Sequence, residues 1–144
     1  MAQLNDTLGV AREAAKPRSF SRPYWDGTRE KRLLLQYDPR NARYQFFPRA
    51  TSIHDGKRAL EWREASGKGV VFSFTIAHRA RPPFRGHEPF AIGLVTLDEG
   101  VNVMANLVNC AEEDLRIGMR VEATWAPLPD GTHLLMFQPA AVAK

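Results

Sequence analysis

The chain has 144 residues, 44% hydrophobic and 25% charged, the make-up of one globular domain, or one domain with a small appendage, rather than of a disordered or collagenous chain. Its single cysteine, Cys110, excludes intrachain disulfides and all-cysteine zinc sites. The formal net charge of +4 conceals a split: residues 1–90 carry 17 Lys and Arg against 9 Asp and Glu, residues 91–144 carry 3 against 7, so an anion is expected on the first half.

Residues 1–20 mix helix formers, Val10 to Lys16, with a stop at Pro17 and show little apolar periodicity, which reads as an arm. Pro23 to Gly27 begins a short helix or turn whose Tyr24 and Trp25 anchor it on the body. Leu33 to Tyr37 and Arg43 to Phe47 are apolar runs split by Asp38-Pro39-Arg40-Asn41-Ala42, the pattern of a hairpin. A third short run follows around Ala59 to Trp62, giving a strand-rich unit too small to build a strong core alone.

From Ser66 the pattern becomes regular. Gly69 to Ile76 alternates Val71, Ser73 and Thr75 with Phe72, Phe74 and Ile76, a half-buried strand. Further strands are expected at Phe90 to Leu97, Gly100 to Val108, Val121 to Trp125 and Thr132 to Phe137, with a helical turn at Cys110 to Leu115. Five short antiparallel strands with a turn between the third and fourth fit an OB-type barrel, whereas an immunoglobulin-like sandwich wants about seven. The fold expected is therefore mainly β. An arm and helix span residues 1–32, a ribbon-like subdomain 33–65 and the barrel 66–144. The longest apolar runs fall far short of the roughly 20 residues that span a bilayer, and the N-terminus lacks an apolar signal core, so a cytoplasmic protein is expected, with no membrane contact.

The run Glu61-Trp62 through Ser66-Gly67-Lys68-Gly69-Val70-Val71-Phe72-Ser73-Phe74-Thr75 resembles the opening barrel strand of the zinc-ribbon/OB-fold proteins associated with acyl-CoA and thiolase-like enzymes. Further matches come in order: His78-Arg79, Pro89 to Val95 with Leu97-Asp98-Glu99-Gly100, Leu115 to Val121, Asp130-Gly131 and Phe137 to Ala140. The resemblance covers roughly residues 20–140. It implies a protein of lipid and acyl-CoA metabolism that accompanies a partner enzyme. The family's ribbon carries two cysteine pairs, and the matching positions here are Tyr37, Arg40, Ser52 and Asp55, so a ribbon without zinc is expected. Tyr37, Tyr44, Phe46, Phe47 and Trp62 offer an apolar replacement for the metal. A substitute site built from His54, Asp55 and Asp38 is disfavoured, because such groups more often cap a loop.

Catalytic machinery is hard to find. The four histidines are scattered, no phosphate-binding glycine loop is present, and the acidic neighbours of Cys110 raise rather than lower a thiol pKa. A small thioester hydrolase would have only Cys110 and the histidines to speak for it. The informative segment is His78 to Phe90, where Arg79, Arg81 and Arg85 interleave with Phe84, Phe90 and three prolines. A solvated, proline-stiffened loop is the plain alternative. With the resemblance, the arginines are expected to meet phosphates and Phe74, Phe84 and Phe90 to form an apolar wall, as a coenzyme A ester requires. Arg49, after Pro48, is a further candidate ligand residue. No tightly bound cofactor is expected.

The expected function is a non-catalytic accessory subunit that docks on a thiolase-like or related acyl-CoA enzyme and helps to position the acyl-CoA. The alternative is a single-stranded nucleic-acid-binding OB-fold protein. Against it, 91–97 and 101–107, the second and third barrel strands, hold no Lys, Arg or aromatic residue.

Overall fold

A computed structural model describes residues 3–141. After an extended arm come helix α1 (Arg22–Arg29) and strands β1 (Leu34–Asp38), β2 (Arg43–Gln45) and β3 (Glu61–Glu64), which form an antiparallel sheet in the order β2-β1-β3. Strands β4 (Lys68–Ala77), β5 (Phe90–Leu97), β6 (Asn102–Leu107), β7 (Arg120–Pro127) and β8 (His133–Pro139) close into a barrel, with a 3-10 turn at Glu112–Asp114. The mainly β architecture read from the sequence, with helix, small sheet and five-stranded barrel, is the one observed.

The barrel closes because alternate residues of every strand are apolar and meet inside. Val71, Ala91, Val95, Leu97, Val103, Leu107, Val121 and Phe137 form that interior. β4 pairs with both β5 and β7, while β6 meets β8 through one parallel pairing, Leu107 opposite Phe137. Inside the barrel the close approach of β5 to Leu107 needs glycine: a Cβ at Gly93 would stand 2.6 Å from the Leu107 side chain.

One departure from strict alternation concerns Phe72. The register of β4 on β5 slips between Val71 and Ser73, leaving Phe72 as the extra residue of a β-bulge. Phe74 and Ile76 pack on the core as the pattern implies, but Phe72 is turned out and 58% exposed.

Helix α1 joins the two sheets. Pro23 starts it, where a missing N–H costs nothing. Buried Tyr24 packs edge-on to Trp25 and against Phe46 of the small sheet, and burial pushes its phenol up to about 12. On the other side, Thr28 Oγ1 accepts the His133 backbone N–H at 3.1 Å, and His133 Nδ1 lies 2.7 Å from the Thr28 carbonyl, which ties the helix to β8.

The apolar packing expected of the small sheet is present in part, with Tyr44, Phe46 and Trp62 lying against the core. Tyr37 and Tyr44 do stack across β1 and β2 at 4.8 Å, but Phe47 is 61% exposed. The loop that a metal would tie down is held by polar side chains instead. Arg40 forks onto Asp55 at 2.8 and 3.0 Å and reaches the Ala59 carbonyl at 2.7 Å. The buried Asp38 carboxylate accepts from Ser52 Oγ, from Asn41 Nδ2 and from the N–H groups of Arg40 and Asn41. Two buried glutamines complete the set. Gln36 bonds both the N–H and the carbonyl of Arg49, and Gln45 bonds Gln36 and the N–H of Ile53. Three of the four positions that match cysteines in the zinc-bearing family, Arg40, Ser52 and Asp55, therefore take part in this network. The carboxylates, the Ser52 hydroxyl and the two glutamine amides of the network all find partners, while the buried Nε2 of His54 in the same loop has none.

Candidate functional site

The loop from His78 to Pro89 leaves the end of β4 and returns at β5, so the barrel rim fixes both its ends. Within it the chain folds back on itself: the N–H groups of Phe84 and Arg85 donate to the Arg81 carbonyl at 2.9 and 3.2 Å, and that of His87 to Phe84 at 3.0 Å. Glu88 accepts the N–H groups of Ala80 and Gly86. Its carboxyl lies below the usual range because its own backbone N–H and those of Gly86, Ala80 and His87 outweigh the desolvation that opposes them. The one carboxylate of the loop thus serves its backbone and leaves the arginines alone. Arg79, Arg81 and Arg85 are exposed and form no ion pair among the described residues.

Phe84, half-buried, lies against the buried Phe90 with ring centroids 5.5 Å apart. The three arginines and Phe84 thus share one exposed loop that ends against Phe90. Phe74 stands apart, three residues back along β4 from the pairing opposite Phe90, where it packs on the barrel core. Arg49 sits on the small sheet's loop with its side chain exposed and its backbone clamped by Gln36.

The arm supplies neighbours that sequence reasoning missed. Leu4, Thr7 and Val10 are buried against the barrel, Asn5 N–H donates to the Pro89 carbonyl at 2.8 Å, and Gln3 bridges to Ala111. Arg12, held by the Thr7 carbonyl at 2.8 Å and Thr7 Oγ1 at 2.9 Å, lies over the Phe84 ring at 5.5 Å. The available signal was the spacing of three between Leu4, Thr7 and Val10, which is neither a helix nor a strand period. Ala11, Ala15, Trp25, Phe84, Leu128 and Leu134 line an open apolar groove of about 540 Å³ beside the loop, with Arg12 and Glu13 at its rim.

Other hollows offer less chemistry. A larger one, about 790 Å³, lies between the small sheet and the β5–β6 turn, but its Arg63 already pairs with Glu61 and lies over Tyr37. The hollow beside Cys110 contains no histidine. Burial and then Asp114 push the thiol up, with Glu113 adding and Arg116 opposing, so the sulfur lacks the positive field and the base that a nucleophile needs. Among the described residues no group of three or more His, Cys, Asp and Glu could hold a metal ion, and no helix is long and apolar enough to cross a membrane. The outer face of β4, β5 and β6 carries Val70, Ile92, Leu94 and the 66% exposed Met104 among Ser, Thr and Asn. On β5 and β6 this face carries neither a cation nor an aromatic residue, and β4 adds only Lys68 at its start and the exposed Phe72 at its bulge, too few for a stacking platform.

The sequence pattern of the "ChsH2, C-terminal OB-fold domain" matches residues 62–126. A DUF35 domain-containing scaffold protein of Pyrococcus furiosus is 36% identical over 107 residues, covering 74% of this chain and 78% of that protein. The 3-oxo-4,17-pregnadiene-20-carboxyl-CoA hydratase alpha subunit of Mycobacterium tuberculosis is 33% identical over 107 residues, but the match takes in only 34% of that subunit. Among solved structures, a chain of the Ltp2-ChsH2(DUF35) aldolase superposes with a TM-score of 0.78 at 26% identity, over 89% of this chain and 100% of that one. Sequence likeness spanning most of a scaffold protein's length, together with the same helix, sheet and barrel in a solved DUF35 chain, makes this chain a member of the DUF35 family of OB-fold proteins.

Proposed function

We propose that the chain is an accessory subunit that docks on a thiolase-like enzyme of acyl-CoA metabolism and helps to hold its coenzyme A thioester. The observation that carries the docking is the superposition over the full length of a chain from the Ltp2-ChsH2(DUF35) aldolase. The ligand reading rests on the 78–89 loop. Three unpaired guanidiniums suit the phosphates of coenzyme A, and the Phe84–Phe90 pair suits its apolar end. In this reading Phe74 supports the wall from the core and Arg49 is an outlying cation. The subunit's contribution is orientation of a substrate for another protein's chemistry.

Affinity capture from the native host, with the bound proteins identified by mass spectrometry, tests the partnership. Recovery of a thiolase-like enzyme is the expected result, and retention of nucleic acid in its place would overturn the reading. For the ligand, Arg79→Ala combined with Arg81→Ala is expected to weaken coenzyme A ester binding about tenfold or more in calorimetry. The unfolding midpoint stays unchanged, since both side chains are exposed. Unaltered affinity would remove the loop from the site.

A further inference from the structure

We propose that the groove between the arm and Phe84 receives the acyl chain of the thioester, with the arm as one of its walls. This rests on the 78–89 loop as the phosphate site and goes further by assigning the other end of the ligand. Ala11 and Ala15 of the arm line the groove together with Trp25, Leu128 and Leu134, and Arg12 and Glu13 stand among them. Phe84 belongs both to the groove and to the loop that carries Arg79, Arg81 and Arg85. Cationic and apolar surfaces are thus joined through a single side chain, complementary to a molecule anionic at one end and aliphatic at the other. A volume of about 540 Å³ lies within the range of roughly 300–1,000 Å³ usual for small-ligand sites.

The arm wall is built to stay in place. Arg12 is anchored twice on Thr7, Thr7 itself is buried, and Val10 N–H donates to the Thr7 carbonyl at 3.1 Å. The alanines beyond it keep the groove open, because a longer side chain there would lie across it.

The test is calorimetric titration of the full chain with coenzyme A, acetyl-CoA, butyryl-CoA, hexanoyl-CoA and octanoyl-CoA. Affinity is expected to rise by about two- to fourfold per methylene from acetyl to octanoyl, the range for partial to full burial of a CH2 group. Ala11 is exposed, so Ala11→Gln keeps the fold while adding an amide to the groove lining, and it is expected to flatten the rise from butyryl to octanoyl. Affinity that does not change with chain length, with coenzyme A still bound, would overturn the groove and leave the loop standing. A slope that persists in Ala11→Gln would place the acyl chain elsewhere and equally overturn it. Failure of every coenzyme A species to bind would overturn groove and loop together.

Discussion

Phe137→Ala is expected to lower the stability of the barrel by about 3–5 kcal/mol, the usual cost of deleting a fully buried aromatic side chain. Phe137 is the largest of the fully enclosed side chains, and its neighbours come from the strands on both sides of the seam between β6 and β8. Its carbonyl also accepts Val108 N–H at 2.8 Å, so the backbone tie that closes the barrel sits at the same residue. Deleting the ring leaves a void where the sheet is joined by least pairing, and strands already in register elsewhere cannot collapse into it cheaply. Urea denaturation followed by tryptophan fluorescence reads the loss as a lower midpoint with an unchanged slope. A change below about 1 kcal/mol would mean that the barrel closes around other residues.

Asp38→Ala is expected to release the loop between β2 and β3 while leaving the barrel folded. The substitution strips an acceptor from Ser52, Asn41 and two backbone N–H groups at once, and of these only the Asn41 amide keeps another partner, Asp55. Limited proteolysis should cut within residues 48–60 of the variant under conditions that spare the parent. Equal resistance would show that Tyr37–Tyr44 stacking suffices to hold the sheet.

The same network predicts an acid limit. Burial pushes the Asp38 carboxyl up, but hydrogen bonds from Ser52 and Asn41 and the charge of Arg40 outweigh it and hold it below the usual range. Asp55 is held down chiefly by its bond from Arg40. For carboxylates depressed in the folded state, the stabilisation is fully present above the unfolded value of about 4 and is lost as pH falls through the folded values. Loop protection in hydrogen exchange, corrected for intrinsic rates, should therefore hold at pH 5 and decline below about pH 4.

The barrel was legible because its strands alternate and its turns announce themselves, at Asp98-Glu99-Gly100 and Asp130-Gly131. The bulge at Phe72 was not, since nothing in Val70-Val71-Phe72-Ser73 distinguishes a slipped register from a regular one. That the ribbon lacks the family's cysteines was legible in the sequence. The aromatic packing and the loop-capping carboxylates were legible too, but not the network, because nothing in the sequence shows Arg40 and Asn41 linking Asp38, Ser52 and Asp55. Similarly the 78–89 loop stood out by composition, whereas the groove beside it draws on residues from 11 to 134 that no local pattern associates.

The arm has a consequence for the order in which the molecule is made. Beyond its own internal bonds its partners are Phe84, Pro89 and Ala111, so residues 3–12 have no surface to lie on until the segment that carries those partners has been made. Ordering of the arm must await closure of the loop and strands that receive it, a long-range step late in folding. A nascent chain halted before residue 84 carries the arm with no surface to lie on.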